Sequence, residues 1–304
     1  ETVIGLDIGH DQVAFAQVDV KSGGAVRLAN AGWVPLAPGL DSNAIASVVR
    51  ELWHEAHLSC LTVASCLHSR AVSLRHFRFP SLNDDELEAA LKLEAEELLQ
   101  LEASQIAMDW HENRVDASAG DARGREGVLV AVPREELTRH QVMLESSGLL
   151  PVVVDVGCMA LGNAYVAIQG GDHTGEPVCL VNLAGQTADV AILYRGNAMY
   201  PRSLTSVPEG PRGERYLADS IIDLLKYCQF KLRREPVTDI AVTGRAENMT
   251  ALCEALSERV GLPVRIWDPC QDVQIRSGRV RQMLERQPGQ GITLSAAIGM
   301  AMRS

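Results

Sequence analysis

The pattern of apolar and polar residues alternates between strand and helix signals along most of the chain. Apolar runs and apolar/polar alternation predict strands at residues 3–8, 12–20, 26–34, 61–67, 69–79, 107–112, 127–132, 151–155, 178–183, 188–194, 199–204, 239–242 and 264–267. Apolar residues at helical spacing predict helices at residues 42–52, 81–99, 134–147, 217–232, 248–260 and 293–302. Strands that alternate with helices in this way are typical of an α/β protein.

One strand-turn-strand pattern occurs twice, with the two copies 175 residues apart. Residues 4–14 and 179–191 each contain a buried strand, a short polar residue (Asp7 or Asn182), a small-residue turn and a second strand. Such a duplication predicts two similar α/β domains that face each other across a cleft. Small turns let backbone N–H groups surround an anion, and an acid at a strand end can hold hydrated Mg²⁺.

The composition is that of a globular protein, with 304 residues, 46% of them apolar and 22% charged. The net charge of −11 and the 4% aromatic content argue against nucleic acid as the main partner. The charge is uneven, because residues 1–201 hold 13 Lys and Arg against 27 Asp and Glu, whereas residues 202–304 hold 15 against 12. We therefore expect a basic partner to be attracted to the first 201 residues.

The sequence predicts neither a membrane span nor a secretory signal. The most apolar stretch, residues 149–168, is interrupted by Pro151, Asp155, Gly157 and Asn163, and fits a strand followed by a buried helix. The first residues lack a basic segment followed by an apolar one. Seven scattered cysteines without a CxxC pair predict reduced thiols in the cytosol.

An ordered set of motifs resembles the actin-like nucleotide-binding superfamily and, within it, the PilM family of type IV pilus assembly proteins, relatives of FtsA. The matching segments are a first phosphate turn at 5–9, an inserted subdomain from 79 onward, a second phosphate turn at 181–190, an adenosine turn at 239–246 and a closing helix at 295–301. The resemblance implies a fold of duplicated, ribonuclease H-like α/β domains with an inserted FtsA/PilM-type subdomain and a reduced second-domain insertion.

The same resemblance implies a division of the chain. The first actin-like domain would comprise residues 1–77, completed by about 156–177 and by the C-terminal helix 293–304. Residues 78–155 would form the inserted α/β subdomain. Residues 178–292 would form the second actin-like domain, in which the region after residue 204 is too short for the larger insertion that relatives usually carry.

The resemblance also implies a site for ATP with Mg²⁺, in which Asp7 would be the metal residue. The residues that would surround the nucleotide are Asp7, Gly9, His10, Asp11, Gln12, Asn182, Gly185, Gln186, Thr187, Gly244 and Arg245. Asp7 could instead only cap its turn, and Arg245 could be a solvated turn residue. No catalytic residue can be nominated from the sequence, and His68 and His76 do not stand at metal-ligand spacing.

Several positions depart from the motifs of the family. Asn182 replaces the Asp that usually opens the second phosphate turn, and Asp11 adds a negative charge where phosphates would lie. The polar group that orients the attacking water in many actin-like enzymes would fall near Gly157, which has no side chain. These departures predict that ATP hydrolysis is absent or very slow, because phosphoryl transfer depends on a metal and an oriented water.

The function implied by the resemblance is that of a cytoplasmic scaffold at the inner face of the inner membrane. Such a scaffold binds the N-terminal tail of an inner-membrane PilN-like protein, meets other pilus or secretion inner-membrane components, and could form homo-oligomers. Alternatives are the L-type cytoplasmic domain of type II secretion, an active actin-like ATPase, or a kinase. The tail would lie between the first sheet and the inserted subdomain, in a region that includes the strand 69–79, the acidic helix 84–102 and the strand 127–132. An alternative site is the arginine-rich segment 276–286, an apparent loop.

Overall fold

A computed structural model describes residues 3–20, 24–113, 124–169, 177–184, 187–194, 196–204, 210–231, 235–245 and 249–303. The strands are β1 (Ile4–Ile8), β2 (Gln12–Val20), β3 (Val26–Pro35), β4 (Thr62–Cys66), β5 (Ser73–Phe79), β6 (Ile106–Glu112), β7 (Arg125–Pro133), β8 (Leu150–Asp155), β9 (Val178–Ala184), β10 (Thr187–Tyr194), β11 (Asn197–Leu204), β12 (Asp239–Arg245), β13 (Val264–Ile266) and β14 (Gln274–Ile275). The helices are α1 (Ser42–Glu55), α2 (Asp84–Leu99), α3 (Arg134–Ser146), α4 (Gly157–Gln169), α5 (Pro211–Lys226), α6 (Met249–Val260), α7 (Pro269–Asp272), α8 (Gly278–Arg286) and α9 (Ser295–Ala301). Most of them lie close to the positions that the apolar periodicity predicts.

Two of the sheets share one strand order, which is the duplication expected from the repeat. The first sheet has the order β14-β3-β2-β1-β4-β8, and the second has the order β11-β10-β9-β12-β13. In each, three consecutive strands pair antiparallel, and a fourth strand pairs parallel with the first of them. A fifth strand then pairs parallel with the fourth, as β8 does with β4 and β13 with β12. Parallel pairing places Asp7 of β1 opposite Cys66 of β4, and Asn182 of β9 opposite Thr243 of β12.

Helices α4 and α9 lie in the core shared by both sheets. Their apolar residues belong to one buried cluster with residues of β2, β3, β9 and β10. Helices α4 and α9 approach each other so closely that a Cβ on Gly299 would overlap the carbonyl oxygen of Ala160. Helix α9 also lies so close to β1 that a Cβ on Gly5 would overlap the carbonyl oxygen of Ala297. Both close contacts therefore require glycine at these positions.

A third, smaller sheet of order β5-β7-β6 stands beside the first. Helix α2 covers one face of it, packing Leu87 and Leu91 against Phe77 and Leu129. The start of α2 is a capping box, in which the Asn83 side chain accepts from the Glu86 N–H and the Glu86 carboxylate accepts from the Asn83 N–H. The third sheet also contacts β11 of the second sheet.

Three segments differ from the sequence-based expectations. The region 276–286 is not a loop: α8 forms because Ser277 accepts from the Val280 N–H at 3.3 Å and Val280 is fully buried. Helix α5 begins at Pro211, before the predicted residue 217, because its buried positions start at Gly213. β14 adds residues 274–275 to the edge of the first sheet. The domain limits at residues 77, 155 and 178 stay predictions.

Within the described residues, no helix combines the length and apolar character needed to cross a bilayer.

Candidate functional site

Three of the predicted nucleotide residues, Gly9, His10 and Asp11, lie in the turn between β1 and β2. Gly9 donates its N–H to the carbonyl of Gln12 at 2.9 Å, and the Asp11 carbonyl accepts from the Leu36 N–H at 2.7 Å. The first bond closes the turn, and the second ties it to the residue that follows β3. His10 is exposed, whereas Gln12 is buried and its Oε1 has no hydrogen-bond partner among the described residues.

Asp7 forms a hydrogen bond with His68, a residue to which the sequence analysis assigned no role. Its Oδ1 lies 2.5 Å from Nε2 of His68, and both side chains are largely buried. Burial by itself would lower the pKa of His68, but the neighbouring Cys66 and the Asp7 carboxylate outweigh it and raise that pKa well above 6.5. We conclude that Asp7 and a protonated His68 form a buried ion pair at the bottom of the cleft.

A second carboxylate, Asp189 of β10, reaches the same place from the other side of the cleft. Asp189 is 8% exposed, and burial raises its pKa, while the charge of His68 lowers it. A Cβ on Gly157 would overlap Oδ2 of Asp189 and would stand 3.5 Å from Cε1 of His68. The space beside Gly157 is thus filled by the Asp189 side chain.

Asn182 of the second phosphate turn and Gly244 of the adenosine turn lie side by side on the paired strands β9 and β12. Asn182 is buried at the end of β9, and Gly244 on β12 has a φ of 85°. A Cβ at position 244 would lie 2.6 Å from Oδ1 of Asn182 and would overlap the Leu183 carbonyl. Both the positive φ and the close approach therefore require glycine there.

The remaining predicted nucleotide residues are only partly brought together. Nη1 of Arg245 lies 3.6 Å from Oδ2 of Asp11, so an exposed ion pair joins the first phosphate turn to the adenosine turn. Thr187 donates its hydroxyl to the Ala184 carbonyl at 2.8 Å. Gly185 and Gln186 lie outside the described residues. The set of nucleotide residues stays a prediction.

The residues at the bottom of the cleft do not fit a hydrated Mg²⁺ at Asp7. Mg²⁺ needs oxygen ligands in an octahedral shell, but the groups beside Asp7 are the imidazole of His68 and the thiol of Cys66. At the equivalent place in the second sheet the chain offers the Asn182 amide, which carries no negative charge. The cleft thus lacks the arrangement that would neutralise phosphate charge through this metal.

A groove of about 470 Å³ lies on another side of the molecule, between the first and third sheets. It is lined by residues 107–111 of β6, by residues 151–155 of β8 with the following Val156, and by Val128, Val130 and Val132 of β7. β6 is the last strand of its sheet and β8 is the last strand of the other. Two sheet edges therefore flank one largely apolar groove.

The edge of β6 has backbone groups directed away from its own sheet. Because Asn113 donates to the Glu126 carbonyl at 2.8 Å, the antiparallel alternation directs the backbone of Met108 and Trp110 to the free edge. The Trp110 N–H there is satisfied by Oδ1 of Asp109 at 2.8 Å. On β8, Leu150 and Val152 are 59% and 51% exposed, which is unusual for apolar residues on an edge strand.

The acidic helix lies elsewhere than we expected. Residues Leu129 and Ala131 of β7 face α2, whereas the alternate residues Val128, Val130 and Val132 line the groove. Helix α2 therefore covers the opposite face of the third sheet and does not line the groove. The alternative, arginine-rich segment 276–286 is engaged internally: for example, Arg276 contacts Asp19 at 3.1 Å and Arg279 donates to the Glu55 carbonyl.

Sequence reasoning missed His68, Cys66 and Asp189. The C-x-H spacing of Cys66 and His68 at the end of a strand was the available signal, but by itself it is weak. Its meaning depends on β4 lying beside β1, a pairing that joins residues 59 positions apart and brings His68 to Asp7.

Comparisons with known proteins identify the family. The family profile described as type IV pilus assembly protein PilM matches residues 5–207. A solved structure described as the PilM-PilN type IV pilus biogenesis complex is similar with a TM-score of 0.82 and 18% identity, covering 100% of this chain and 98% of the matched one. The ethanolamine utilization protein EutJ from Carboxydothermus hydrogenoformans is similar with a TM-score of 0.52 and 10% identity, covering 100% and 90%.

The cytoplasmic domain of EpsL, an inner-membrane component of the type II secretion system of Vibrio cholerae, is similar with a TM-score of 0.50 and 11% identity, covering 94% of both chains. At these identities the structural likenesses show the fold alone, and they confirm the expected actin-like α/β architecture. The family match extends over more than half of the sequence. The chain therefore belongs to the PilM family of type IV pilus assembly proteins.

Proposed function

We propose that this protein is a scaffold of a type IV pilus assembly machine, located at the inner face of the inner membrane. It binds the N-terminal cytoplasmic tail of an inner-membrane PilN-like protein. Family membership and the PilN partner of the similar complex support this proposal. The likeness to EpsL extends to the fold only, so the pilus reading is favoured over the type II secretion alternative.

The observation that carries the proposal is the groove between the two free edges. An extended peptide can add to a strand edge through main-chain hydrogen bonds, while pockets select its side chains. Trp110 offers an edge N–H that is now occupied only by the neighbouring Asp109 carboxylate, a local bond that an incoming strand can replace. The valines of β7 provide the apolar floor.

The test measures binding of a synthetic peptide with the sequence of the partner's N-terminal cytoplasmic tail. Val152→Lys places a charge at the exposed edge of β8 in the groove, and we expect the peptide to bind at least about tenfold more weakly, or about 1.4 kcal/mol. Val142→Lys is the matched control, because Val142 is equally exposed at 54% but lies on α3 outside the groove lining. Its affinity should equal that of the wild type.

Charge reversal of Glu94, Glu96 and Glu97 on α2 distinguishes this groove from the acidic helix. We expect that triple variant to bind more slowly at low salt and equally tightly at high salt, because distant charges mainly steer encounter. Equal affinity of the Val152→Lys and Val142→Lys variants would exclude the groove. Loss of binding in the α2 variant at all salt concentrations would place the tail on the helix instead.

A nucleotide in the cleft is a second proposed ligand, with little or no hydrolysis. The duplicated turns, and the glycines at positions 9 and 244, support binding of a phosphate-bearing ligand. Three features argue against ATP turnover. Asp7 is bound to His68, Asn182 carries no charge, and the Asp189 side chain fills the space beside Gly157. The protein is thus proposed to use the actin-like fold for assembly rather than for chemistry.

A further inference from the structure

The bottom of the cleft contains a cluster with the chemistry of a different metal. Asp7, Cys66 and His68 each present one ligand atom, and these three atoms lie within 4.8 Å of one another. Asp7 and Cys66 are directly opposed on the paired strands β1 and β4, and His68 follows two residues after Cys66. The three ligands are therefore positioned by sheet register and by a strand end, which are rigid parts of the fold.

A second acidic side chain lies beside this cluster. Asp189 brings a buried carboxyl group to the His68 ring from the second sheet, and Gly157 leaves the room that this group occupies. One thiol, one imidazole and two carboxyl groups therefore lie close together, and each of these groups is a common metal ligand.

We propose that this cluster is a Zn²⁺ site with Asp7, Cys66 and His68 as ligands and Asp189 as the adjacent carboxylate. A thiolate, an imidazole and a carboxylate form a donor set that suits Zn²⁺, whereas Mg²⁺ requires oxygen ligands. Zn²⁺ would lie between Asp7 and His68, whose 2.5 Å contact opens as each atom comes to about 2.1 Å from the ion. The Cys66 thiol and the His68 ring each release one proton to solvent as the metal binds, because thiolate and neutral imidazole are the forms that ligate Zn²⁺. The proposal rests on this geometry alone and is independent of the proposed pilus function.

The test titrates the full chain, freed of metal by a chelator and dialysis, with Zn²⁺ alone and with Mg²⁺ alone in a calorimeter. We expect one Zn²⁺ per chain, and Mg²⁺ binding at least a hundredfold weaker. Cys66→Ser and His68→Gln should each weaken Zn²⁺ binding at least tenfold. Matched controls are Cys179→Ser, another fully buried thiol, and His76→Gln, another buried histidine paired with a carboxylate at 2.8 Å, and both should bind as the wild type does.

Substitution by Co²⁺ supplies a spectroscopic readout that does not depend on affinity. Wild type and Cys179→Ser should show a thiolate-to-cobalt charge-transfer band, and Cys66→Ser should lack it. If Cys66→Ser fails to fold, Asp7→Asn provides the second test, with the same expected loss of Zn²⁺ affinity. The proposal is overturned if the wild type does not bind Zn²⁺. It is also overturned if Cys66→Ser and His68→Gln bind Zn²⁺ as tightly as the wild type does, because the ligands would then lie on the surface.

Discussion

Buried ionisable side chains are concentrated around the end of β4. Cys66, with a pKa that burial raises to about 11, adjoins the Asp7–His68 pair, and the adjacent Ser65 contacts His140 of α3 at 3.0 Å. The two histidines respond to burial in opposite ways. His68 has a carboxylate partner and keeps its proton, whereas His140 has a hydroxyl partner and loses it.

His140 predicts a pH dependence of stability. Burial, and then the charge of His68, lower the pKa of His140 from 6.5 to about 4. Between pH 6.5 and 4 the imidazole of His140 therefore binds a proton in the unfolded chain but not in the folded protein. The contribution of neutral His140 to the unfolding free energy is complete above about pH 6.5 and is lost as the pH falls toward 4. Between pH 7 and pH 5, we expect the wild type to lose on the order of 1–2 kcal/mol more unfolding free energy than His140→Asn.

Urea unfolding at the two pH values measures this difference. His54→Asn is the matched control, because His54 lies exposed on α1, and its unfolding free energy should change with pH as that of the wild type does. Identical pH dependence of His140→Asn and the wild type would show that His140 is not buried in its neutral form.

Residue-level prediction from the sequence was most successful where the signal is local. Asp7 and Asn182 were placed at equivalent strand ends because a buried run and a small-residue turn identify them directly. The side chains around Asp7 were not found, since His68 reaches it through the pairing of β4 with β1 and Asp189 through the approach of the second sheet. A sequence motif therefore predicts the chemistry of a residue, whereas the tertiary structure determines which side chains surround it.

At the scale of elements, strands and capped helices were predictable because their cues lie within a few residues. The capping box at Asn83 and the left-handed Gly148 after α3 both occur where the sequence indicates helix ends. Helix α8 was missed because its arginines suggest a solvated loop. Its formation depends on one buried residue, Val280, and on strand β14 before it, which are tertiary features.

The packing of α9 against α4 gives an element-scale prediction. A methyl group on Gly299 would overlap the Ala160 carbonyl, and backbone cannot move aside as a flexible side chain can. We expect Gly299→Ala to lower the unfolding free energy by at least about 2 kcal/mol, by the mechanism of overpacking. Gly278→Ala on α8 is the control, because a Cβ there meets nothing within 4 Å and should change stability by less than about 1 kcal/mol.

Chemical unfolding of both variants measures the effect. A Gly299→Ala variant as stable as Gly278→Ala would mean that the two helices can separate without loss. The close approach of α4 and α9 would then be incidental to the stability of the shared core.

At the scale of the whole molecule, the two duplicated sheets are bridged by side chains of the protein itself. The Arg245–Asp11 ion pair joins the first phosphate turn to the adenosine turn. The Asp7–His68 pair of the first sheet meets Asp189 of the second sheet beside Gly157. The groove between β6 and β8 lies elsewhere, and its apolar lining fits the proposed peptide ligand.

This arrangement predicts that the purified chain turns over Mg-ATP far more slowly than about once per second, a rate typical of slower enzymes. Phosphoryl transfer needs a metal that neutralises charge and a positioned water. Asn182→Asp restores the missing carboxylate of the second turn, but Asp7 stays bound to His68 and Asp189 still fills the space at Gly157. Turnover of this variant should therefore equal that of the wild type. A phosphate-release assay measures both, and wild-type turnover at or above about once per second that disappears in Asp7→Asn would show that the cleft is catalytic.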